Sequence, residues 1–171
     1  MYFSSSFPTI EYDPTGAGTT TKVQDILTRI KVRDGIRDRD SLFSKYDVYN
    51  GTSPELVSLE VYGDVQYYWI LLMMNKIFNR YYEWPMSQRD LLEYVNDTYA
   101  DPDATHHYEK AQSSGDTTVM IQVESDVVGA SAVSNYQYEV TLNDARSQIK
   151  VLQPIYLDTF VDEFKSLLKA A

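Results

Sequence analysis

Residues 46–75, which read YDVYNGTSPELVSLEVYGDVQYYWILLMMN, contain the local signals that decide the fold. The opening YDVYNG predicts a short strand with alternating side chains. Ser53 can cap a helix and Pro54 suits the first helical position, so a helix is predicted to begin there. Gly63 favours the left-handed backbone that ends helices, and this helix is therefore predicted to extend to about Tyr62.

A second helix is predicted directly afterwards, because Asp64 can cap it. It has one helically spaced apolar face, and Ile70, Leu71 and Met74 make its other sides apolar as well. A helix that is apolar all round needs burial on nearly every side, within this chain or against a neighbour. The apolar face consists of Val65, Tyr68, Trp69, Leu72 and Met73.

An aromatic loop, NKIFNRYYEWP, and a third helix follow. Ser87 with Asp90 three residues later resembles a capping box, so the third helix is predicted to begin there. Its apolar residues are Leu91, Leu92 and Val95.

Residues 1–20 are predicted to form an extended arm, since neither helical nor strand periodicity persists in them. The arm needs a surface on which to bury its large side chains, either on its own domain or on a partner. A short helix is predicted from Thr21, because the apolar residues that follow have helical spacing, namely Val23, Ile26, Leu27 and Ile30. The next stretch, RIKVRDGIRDRD, predicts a solvated turn, since its charges neutralise one another. The large apolar residues of the arm are Tyr2, Phe3, Phe7, Ile10 and Tyr12.

The pattern turns to β-structure after a polar hinge at residues 97–106. Alternation over residues 119–123 predicts a strand, and DVVGASAVSN predicts a loop of small residues. Residues 136–142 alternate again, and residues 149–151 resume the alternation after a turn, which predicts a hairpin. A last helix is predicted to open at Pro154. Its apolar stripe is Leu157, Phe160, Val161, Phe164, Leu167 and Leu168.

Together these elements predict an α+β fold with an N-terminal extended arm, a helical core, a β-hairpin region and a C-terminal helix. The chain is expected to divide into four segments. They are the arm at 1–20, a short helix and connector at 21–45, the core at 46–96, and a β region with the C-terminal helix at 97–171.

Composition narrows the function. The chain has 171 residues and a formal net charge of -10, which argues against nucleic acid and against anionic membrane surfaces as partners. It has no cysteine, which fits a reducing compartment, and its longest apolar run, Ile70–Met74, is too short to span a membrane. Its 15 tyrosines favour protein–protein contacts, because tyrosine is enriched at interfaces.

No set of residues predicts catalysis, a cofactor or a metal site. The two histidines, His106 and His107, are adjacent, and neighbouring residues of an extended segment point to opposite sides. An exposed polar loop is therefore the preferred interpretation of this pair. Neither a nucleophile elbow nor a phosphate-binding loop is present, so we expect that the chain is not an enzyme.

The core resembles two known families. Its strand, two helices and Tyr-Gly junction resemble the LysM module, a βααβ unit, with Gly51 and Thr52 in the turn and Asn75 after the second helix. The closing strand of that module is replaced here by NRYYEWPMSQRDLLEYV. This resemblance implies binding of peptidoglycan or chitin oligosaccharides as the alternative function.

The second resemblance is to the baseplate wedge protein 53 family of contractile-tailed bacteriophages, and it extends over most of the chain. VYGDVQYYWILLMMNKIFNRYYEWPMSQ resembles the core of that family, and the two ends of the chain resemble its ends. The residues that carry the resemblance of the core are Tyr62, Gly63, Tyr68, Trp69, Asn75, Tyr81, Tyr82, Trp84, Ser87 and Gln88.

This resemblance implies a structural subunit with a LysM-like core that ties adjacent baseplate wedges together around the central hub. It implies six copies in each baseplate, wedge-core and inner-baseplate proteins as partners, assembly in the host cytoplasm and a final place in the virion. The core would present aromatic anchors and the arm would reach a separate neighbour. The predicted interface residues are Tyr2, Phe3, Phe7, Tyr67, Tyr81, Tyr82 and Trp84.

Overall fold

The structure, a computed structural model, describes residues 6–28 and 30–170, and of Asp34 only the backbone. The chain divides into two compact units, each discontinuous in sequence. The first unit contains the described residues up to Val48, Thr52–Arg80 and the residues from Ile149 onward, and the second contains Tyr49–Gly51 and Tyr81–Gln148.

The first unit begins with a two-stranded antiparallel hairpin of β1 (Thr9–Tyr12) and β2 (Thr21–Gln24). The Asp13 carboxylate organises its loop, because it accepts hydrogen bonds from the backbone amides of Gly16 and Gly18 at 2.8 and 2.7 Å. The Gly18 amide in particular lowers the pKa of Asp13. The helix predicted from Thr21 is wrong, since this segment is β2 and the side chains of Ile26 and Leu27 are exposed.

The charged stretch predicted as a solvated turn contains a short helix, α1 (Asp34–Arg37), and a 3-10 turn at Asp40–Leu42. Val32, just before α1, is buried. The prediction missed this apolar anchor because a single buried residue among charges produces no periodicity.

Strand β3 (Phe43–Asp47) pairs with a strand from the other end of the chain, β7 (Gln148–Leu152). Two helices, α2 (Pro54–Tyr62) and α3 (Tyr68–Met74), lie between them in the sequence. The first unit therefore has the order strand, helix, helix, strand, with most of the second unit inserted before the closing strand. The residues that directly follow α3 do not pair with β3, whose strand partner is β7.

The boundaries of α2 follow from local chemistry, as predicted. The Ser53 hydroxyl accepts a hydrogen bond from the Leu56 amide, and Gly63 ends the helix with φ of 74°. Asp64 then accepts a hydrogen bond from the Gln66 amide at 2.8 Å, which opens a 3-10 turn that leads into α3. These capping contacts satisfy backbone groups that a helix end leaves without partners.

The hydrophobic core of the first unit forms between α3 and α7 (Leu157–Ala170), which a 3-10 turn at Pro154–Tyr156 precedes. No residue of α3 is exposed, which confirms the burial predicted for the helix from Tyr68 onward. Val65 of the predicted apolar face lies in the preceding 3-10 turn and is 38% exposed. Leu167 of the predicted α7 stripe is 48% exposed, whereas the other members are buried or half-buried. The buried residues of this core are Val32, Phe43, Trp69, Ile70, Met74, Leu152, Leu157, Val161, Phe164 and Leu168.

The second unit combines helices with a small sheet. After the short helix α4 (Arg80–Glu83), α5 (Gln88–Thr98) begins at Ser87, whose hydroxyl accepts a hydrogen bond from the Asp90 amide at 3.2 Å. The sheet has the strand order β5-β4-β6, and both pairs are antiparallel. Its strands are β4 (Thr105–Ala111), β5 (Met120–Val123) and β6 (Ser131–Ser134).

Residues Asn135–Ser147 form a helix, α6, so the hairpin predicted over residues 136–151 is wrong. A complete capping box starts α6, in which Ser134 and Gln137 exchange side chain–backbone hydrogen bonds. The segment predicted as a loop of small residues also contains β6. Alternation of four apolar residues misled the prediction, because the covered side of α6 includes polar residues that a hydrophobic pattern does not detect.

The mixture of helices and strands confirms the α+β class. The four-segment division stays a prediction, and the compact units follow other boundaries because β7 and α7 return to the first unit. Within the residues that the structure describes, no helix has the length and apolar character needed to cross a membrane.

Candidate protein-interaction sites

A groove of about 850 Å³ opens on the first unit beside α3 and α7. Its floor contains the rings of Trp69 and Phe164, whose centroids are 4.6 Å apart, together with Leu168. All three side chains are at least nine-tenths buried, so the floor is rigid core. The apolar walls are Phe7, Ile30, Leu72, Met73, Ile77 and Phe78.

The charged residues around this groove are basic. In the described part of the chain they are Lys31, Arg37 and Lys76. The Arg37 guanidinium donates a hydrogen bond to the backbone carbonyl of Met73 at 3.0 Å, which connects α1 to the end of α3. The chain as a whole carries a net charge of -10, so the sign of the charged residues described around this groove is opposite to that of the whole chain.

The backbone of Lys76 has an uncommon conformation. Its φ is 58°, and no other non-glycine residue of the described chain has a positive φ. The following amide, of Ile77, donates to the carbonyl oxygen of Leu72 at 2.9 Å and closes the end of α3. Glycine is usual at such a position, since a Cβ in the left-handed region is energetically unfavourable. A lysine in this position strains the backbone locally, and such strained residues are concentrated at functional sites.

Two predicted interface residues of the first unit, Phe7 and Tyr67, lie partly buried against its hydrophobic core. Phe7 also lines the groove, whereas the Tyr67 ring meets the ring of Tyr62 edge-on with centroids 6.2 Å apart. Tyr2 and Phe3 lie outside the described residues. An interface role for these four residues stays a prediction.

Three other predicted interface residues belong to the second unit, and they differ in exposure. Tyr81 and Tyr82 of α4 are 79% and 59% exposed, and an interface role for them stays a prediction. Trp84 is only 5% exposed. Trp84 is therefore a core residue of the isolated chain, because the largest apolar side chain of the segment gains most from burial.

The histidine pair lies on strand β4, not in the predicted loop. The Nδ1 atoms of His106 and His107 are 2.9 Å apart, and the His106 ring stacks on Tyr138 with centroids 3.9 Å apart. A register shift between Thr105 and His107 allows both rings to approach this tyrosine, although neighbouring strand residues usually point apart. In the described ranges, no group of three or more metal-binding side chains is placed to hold an ion.

Each unit contains one tyrosine whose hydrogen bond to a glutamate raises the pKa of the tyrosine. Tyr46 donates a hydrogen bond to Glu60 at 2.6 Å, and this bond, with burial and the nearby charge, raises the pKa of Tyr46 to about 12. Tyr99 donates to the buried Glu139 at 2.9 Å, and that bond raises the pKa of Tyr99 to about 12. None of these four residues lines the groove.

The groove and its lysine were not predicted from the sequence. One signal is nevertheless present: Asn75 and Lys76 follow α3 directly, and no glycine stands where the helix must end. The convergence of Phe7, Lys31 and Phe164 depends on tertiary packing, which no local pattern encodes.

Comparison with known proteins identifies the family. Residues 7–101, which are more than half of the chain, match the profile of a phage family described as base plate wedge protein 53. The match includes the two helices that follow β3, and the resemblance of residues after 101 stays a prediction. A search of curated proteins finds no match. The chain therefore belongs to the base plate wedge protein 53 family of bacteriophages, and it is a structural protein of the phage tail baseplate.

Proposed function

We propose that this chain is a docking subunit that ties adjacent wedges of the baseplate together around the central hub. Its partners are wedge-core subunits and neighbouring inner-baseplate proteins, and each baseplate contains six copies. The subunit joins the structure in the host cytoplasm and acts without catalysis or a cofactor. Membership of a baseplate wedge family supports this proposal.

The observation that carries the proposal is the presence of exposed large apolar side chains on both units. In the first unit Phe78 is 92% and Leu27 81% exposed, and in the second unit Val128 is 88% and Tyr81 79% exposed. Burying one such side chain stabilises a complex by about 1.5–3 kcal/mol. Single exposed apolar residues are normal, but several on each unit favour contacts with more than one neighbour.

A subunit that contacts two neighbours gains from effective concentration. Once one unit is bound, the second contact becomes intramolecular, so two modest interfaces produce a stable connection. The exposed residues of each unit are the candidates for these contacts. This arrangement suits a protein that joins adjacent wedges.

Affinity purification tests the proposal. The tagged full chain is expressed together with the tail proteins of the phage, and the recovered proteins are identified and quantified by mass spectrometry. We expect stoichiometric recovery of other baseplate proteins and reduced recovery when Tyr81 and Tyr82 are both changed to Ser. Tyr156→Ser, at a 39% exposed tyrosine without a predicted role, is the matched control.

The carbohydrate alternative has its own test, a pull-down on insoluble peptidoglycan and chitin. The docking proposal predicts no specific retention. Retention that soluble N-acetylglucosamine oligomers compete away would favour the LysM-type sugar-binding function instead.

A further inference from the structure

Strand β5 lies at one edge of the sheet of the second unit, because its only strand neighbour among the described residues is β4. The Gln112 amide donates to the Val119 carbonyl at 2.9 Å, which shows which residue pairs of the two strands are hydrogen-bonded. Hydrogen-bonded and non-hydrogen-bonded pairs alternate in an antiparallel ladder. Met120 and Gln122 therefore direct their backbone amides and carbonyls away from β4, toward the open edge.

This edge has little protection against the addition of a strand. Natural sheets protect their edge strands with short length, charged side chains, prolines or bulges. Although β5 is short, residues 119–123 contain no charge and no proline, and the pairing with β4 has no register shift. The side chains of Val119, Met120 and Ile121 are all exposed. An apolar edge with outward hydrogen-bonding groups has the chemistry that an extended backbone recognises.

A cavity of about 590 Å³ adjoins the C-terminal end of β5. Gln122 and Glu124 line it together with His106 and His107 of β4. The exposed Glu124 carboxylate has no ion-pair or hydrogen-bond partner within the described residues. A pocket beside an edge strand can receive one side chain of an added strand, and a carboxylate in this pocket favours a cationic side chain.

Charge also distinguishes a foreign strand from a second copy of β5. Asp116 precedes β5, Glu124 and Asp126 follow it, and all three are exposed. Two antiparallel β5 strands, with Met120 of each opposite Gln122 of the other, would bring Asp116 near Asp126 at both ends. Like charges opposite each other are unfavourable, whereas a strand with basic residues would be attracted to the same positions.

We propose that β5 accepts an added strand from a neighbouring baseplate protein, an extended segment with apolar residues and at least one lysine or arginine. The backbone of this segment exchanges hydrogen bonds with Met120 and Gln122, and its basic side chain faces Glu124. In this mode of recognition the main-chain bonds provide affinity and the pocket provides specificity. The inference rests on the proposed docking function and specifies the chemistry of one partner.

A peptide array tests the chemistry of the partner. Short overlapping peptides of all tail proteins of the same phage, including this chain, are probed with the labelled full-length protein, and affinities are then measured by fluorescence anisotropy. We expect the bound peptides to come from another baseplate protein and to combine alternating apolar residues with a basic residue. Bound peptides without a basic residue, a tightest peptide from this chain, or the absence of any bound peptide overturn the proposal.

Two substitutions of one residue test recognition of the main chain. Gln122→Pro removes an outward amide that does not bond to β4, and proline is tolerated at such edge positions. Gln122→Thr removes the same side chain and keeps the amide. The proline variant should bind the best peptide about tenfold or more weakly, whereas the threonine variant should bind nearly as the wild type does. Equal affinities of the two variants would contradict strand addition, and circular dichroism verifies their fold.

A second probe does not depend on the folding of a variant. The best peptide is synthesised with a methyl group on one backbone amide at a time. Methylation should abolish binding only at alternate residues, whose amides face β5, because successive amides of a strand point to opposite sides. A sensitivity that does not alternate along the peptide would exclude an added strand.

The charge of Glu124 is tested with a matched pair of variants. Glu124→Gln should weaken binding of the best peptide by about threefold, and added NaCl should weaken wild-type binding more than binding by this variant. Glu93→Gln, at an exposed glutamate of α5, is the control and should leave the affinity unchanged. Equal affinities of the two variants would contradict the assigned role of Glu124.

The proposed docking function is scored separately. The Gln122→Pro and Gln122→Thr chains are each co-expressed with the tail proteins and purified as complexes. If the wild-type chain recovers baseplate proteins and the proline variant recovers every one of them equally well, the strand proposal fails and the docking function stands. Failure of the wild-type chain to recover any baseplate protein contradicts the docking function itself.

Discussion

The side chain of Asn75 pairs with the backbone of Lys150 as a neighbouring strand would. Its Nδ2 donates to the Lys150 carbonyl at 2.8 Å, and its Oδ1 accepts from the Lys150 amide at 2.8 Å. The same Nδ2 also donates to the carbonyl of Leu71 at 2.8 Å. One side chain therefore connects the end of α3 to β7, although the residues of the second unit separate the two in the sequence. This gives a physical reason for the asparagine that ends the helix in the family resemblance.

Replacing Asn75 should destabilise the first unit. Asn75→Ala removes three hydrogen bonds and leaves backbone groups of β7 without partners, so we expect a loss of about 2–3 kcal/mol in the free energy of unfolding. Urea denaturation measures this loss. Asn96→Ala, at an exposed position of α5, is the control and should change stability by less than about 0.5 kcal/mol. An Asn75→Ala variant as stable as this control would contradict the assigned connection.

Lys76→Gly should stabilise the chain by about 0.5–1 kcal/mol, because glycine adopts φ of 58° without steric strain. Gly63→Ala, at φ of 74°, should have the opposite effect and cost about 1 kcal/mol. The two variants form a matched pair that differs in sign. Thermal and urea unfolding measure both, and destabilisation by Lys76→Gly would show that the lysine side chain stabilises the fold itself.

Three tyrosines, Tyr46, Tyr62 and Tyr99, should titrate late in alkaline solution. Burial raises the pKa of Tyr62. Hydrogen bonds to Glu60 and Glu139 raise the pKa values of Tyr46 and Tyr99 to about 12, so the folded protein retains protons that the unfolded chain releases near 10. The contribution of these bonds to stability is fully present below pH 10. It is lost as the pH rises from 10 to 12, because the unfolded state then binds fewer protons.

Absorbance of tyrosinate as a function of pH checks this prediction. Tyr46→Phe and Tyr99→Phe should each remove one of the late-titrating groups and reduce the loss of stability between pH 10 and 12. Tyr81→Phe, at a 79% exposed ring, is the comparison. If neither single variant has a smaller late-titrating absorbance change than the wild type, the hydrogen bonds do not have the proposed effect.

Substitutions of neighbouring aromatic residues in the second unit should have different effects on stability and on assembly. Trp84→Ala removes a buried ring and should cost about 3–5 kcal/mol in the free energy of unfolding. Tyr81→Ala and Tyr82→Ala should each change it by less than about 0.5 kcal/mol, since both rings are largely exposed. We expect these tyrosine variants to reduce recovery of baseplate proteins nonetheless. Normal recovery with both tyrosines replaced would remove α4 from the interface.

The sequence predicted those parts of the fold that depend on neighbouring residues. Ser53, Gly63 and Ser87 act through backbone groups one turn away, so the ends of α2 and the start of α5 were predictable. The apolar character of α3 predicted its burial, and the stripe of α7 predicted most of its core contacts.

Other parts depend on residues far apart in the sequence. The covered side of α6 includes Glu139 and Asn143, which are satisfied by Tyr99 and by the backbone of Met86. Such polar contacts have no hydrophobic periodicity, and the alternating tyrosines of this segment suggested a strand instead. The hairpin of β1 and β2 was missed for a different reason, because each strand has only four residues and is largely exposed, so the alternation is too short to persist.

Tyr81 and Tyr82 were predicted as interface residues and are exposed, and their role stays a prediction, whereas the burial of Trp84 and the existence of the groove were not predicted. Whether an aromatic side chain faces solvent or core depends on the tertiary neighbours that it meets. The groove likewise requires α1, α3 and α7 to converge, and only Lys76 marks it locally.

The most direct test of the docking function is the assembly of wedges with and without this chain. Wedges purified from cells that express all other baseplate proteins are mixed with hub proteins and examined by sedimentation and electron microscopy. We predict separate wedges in the absence of this chain and closed rings around the hub when it is added. Closed rings that form equally well without it would contradict the proposal that this subunit ties the wedges together.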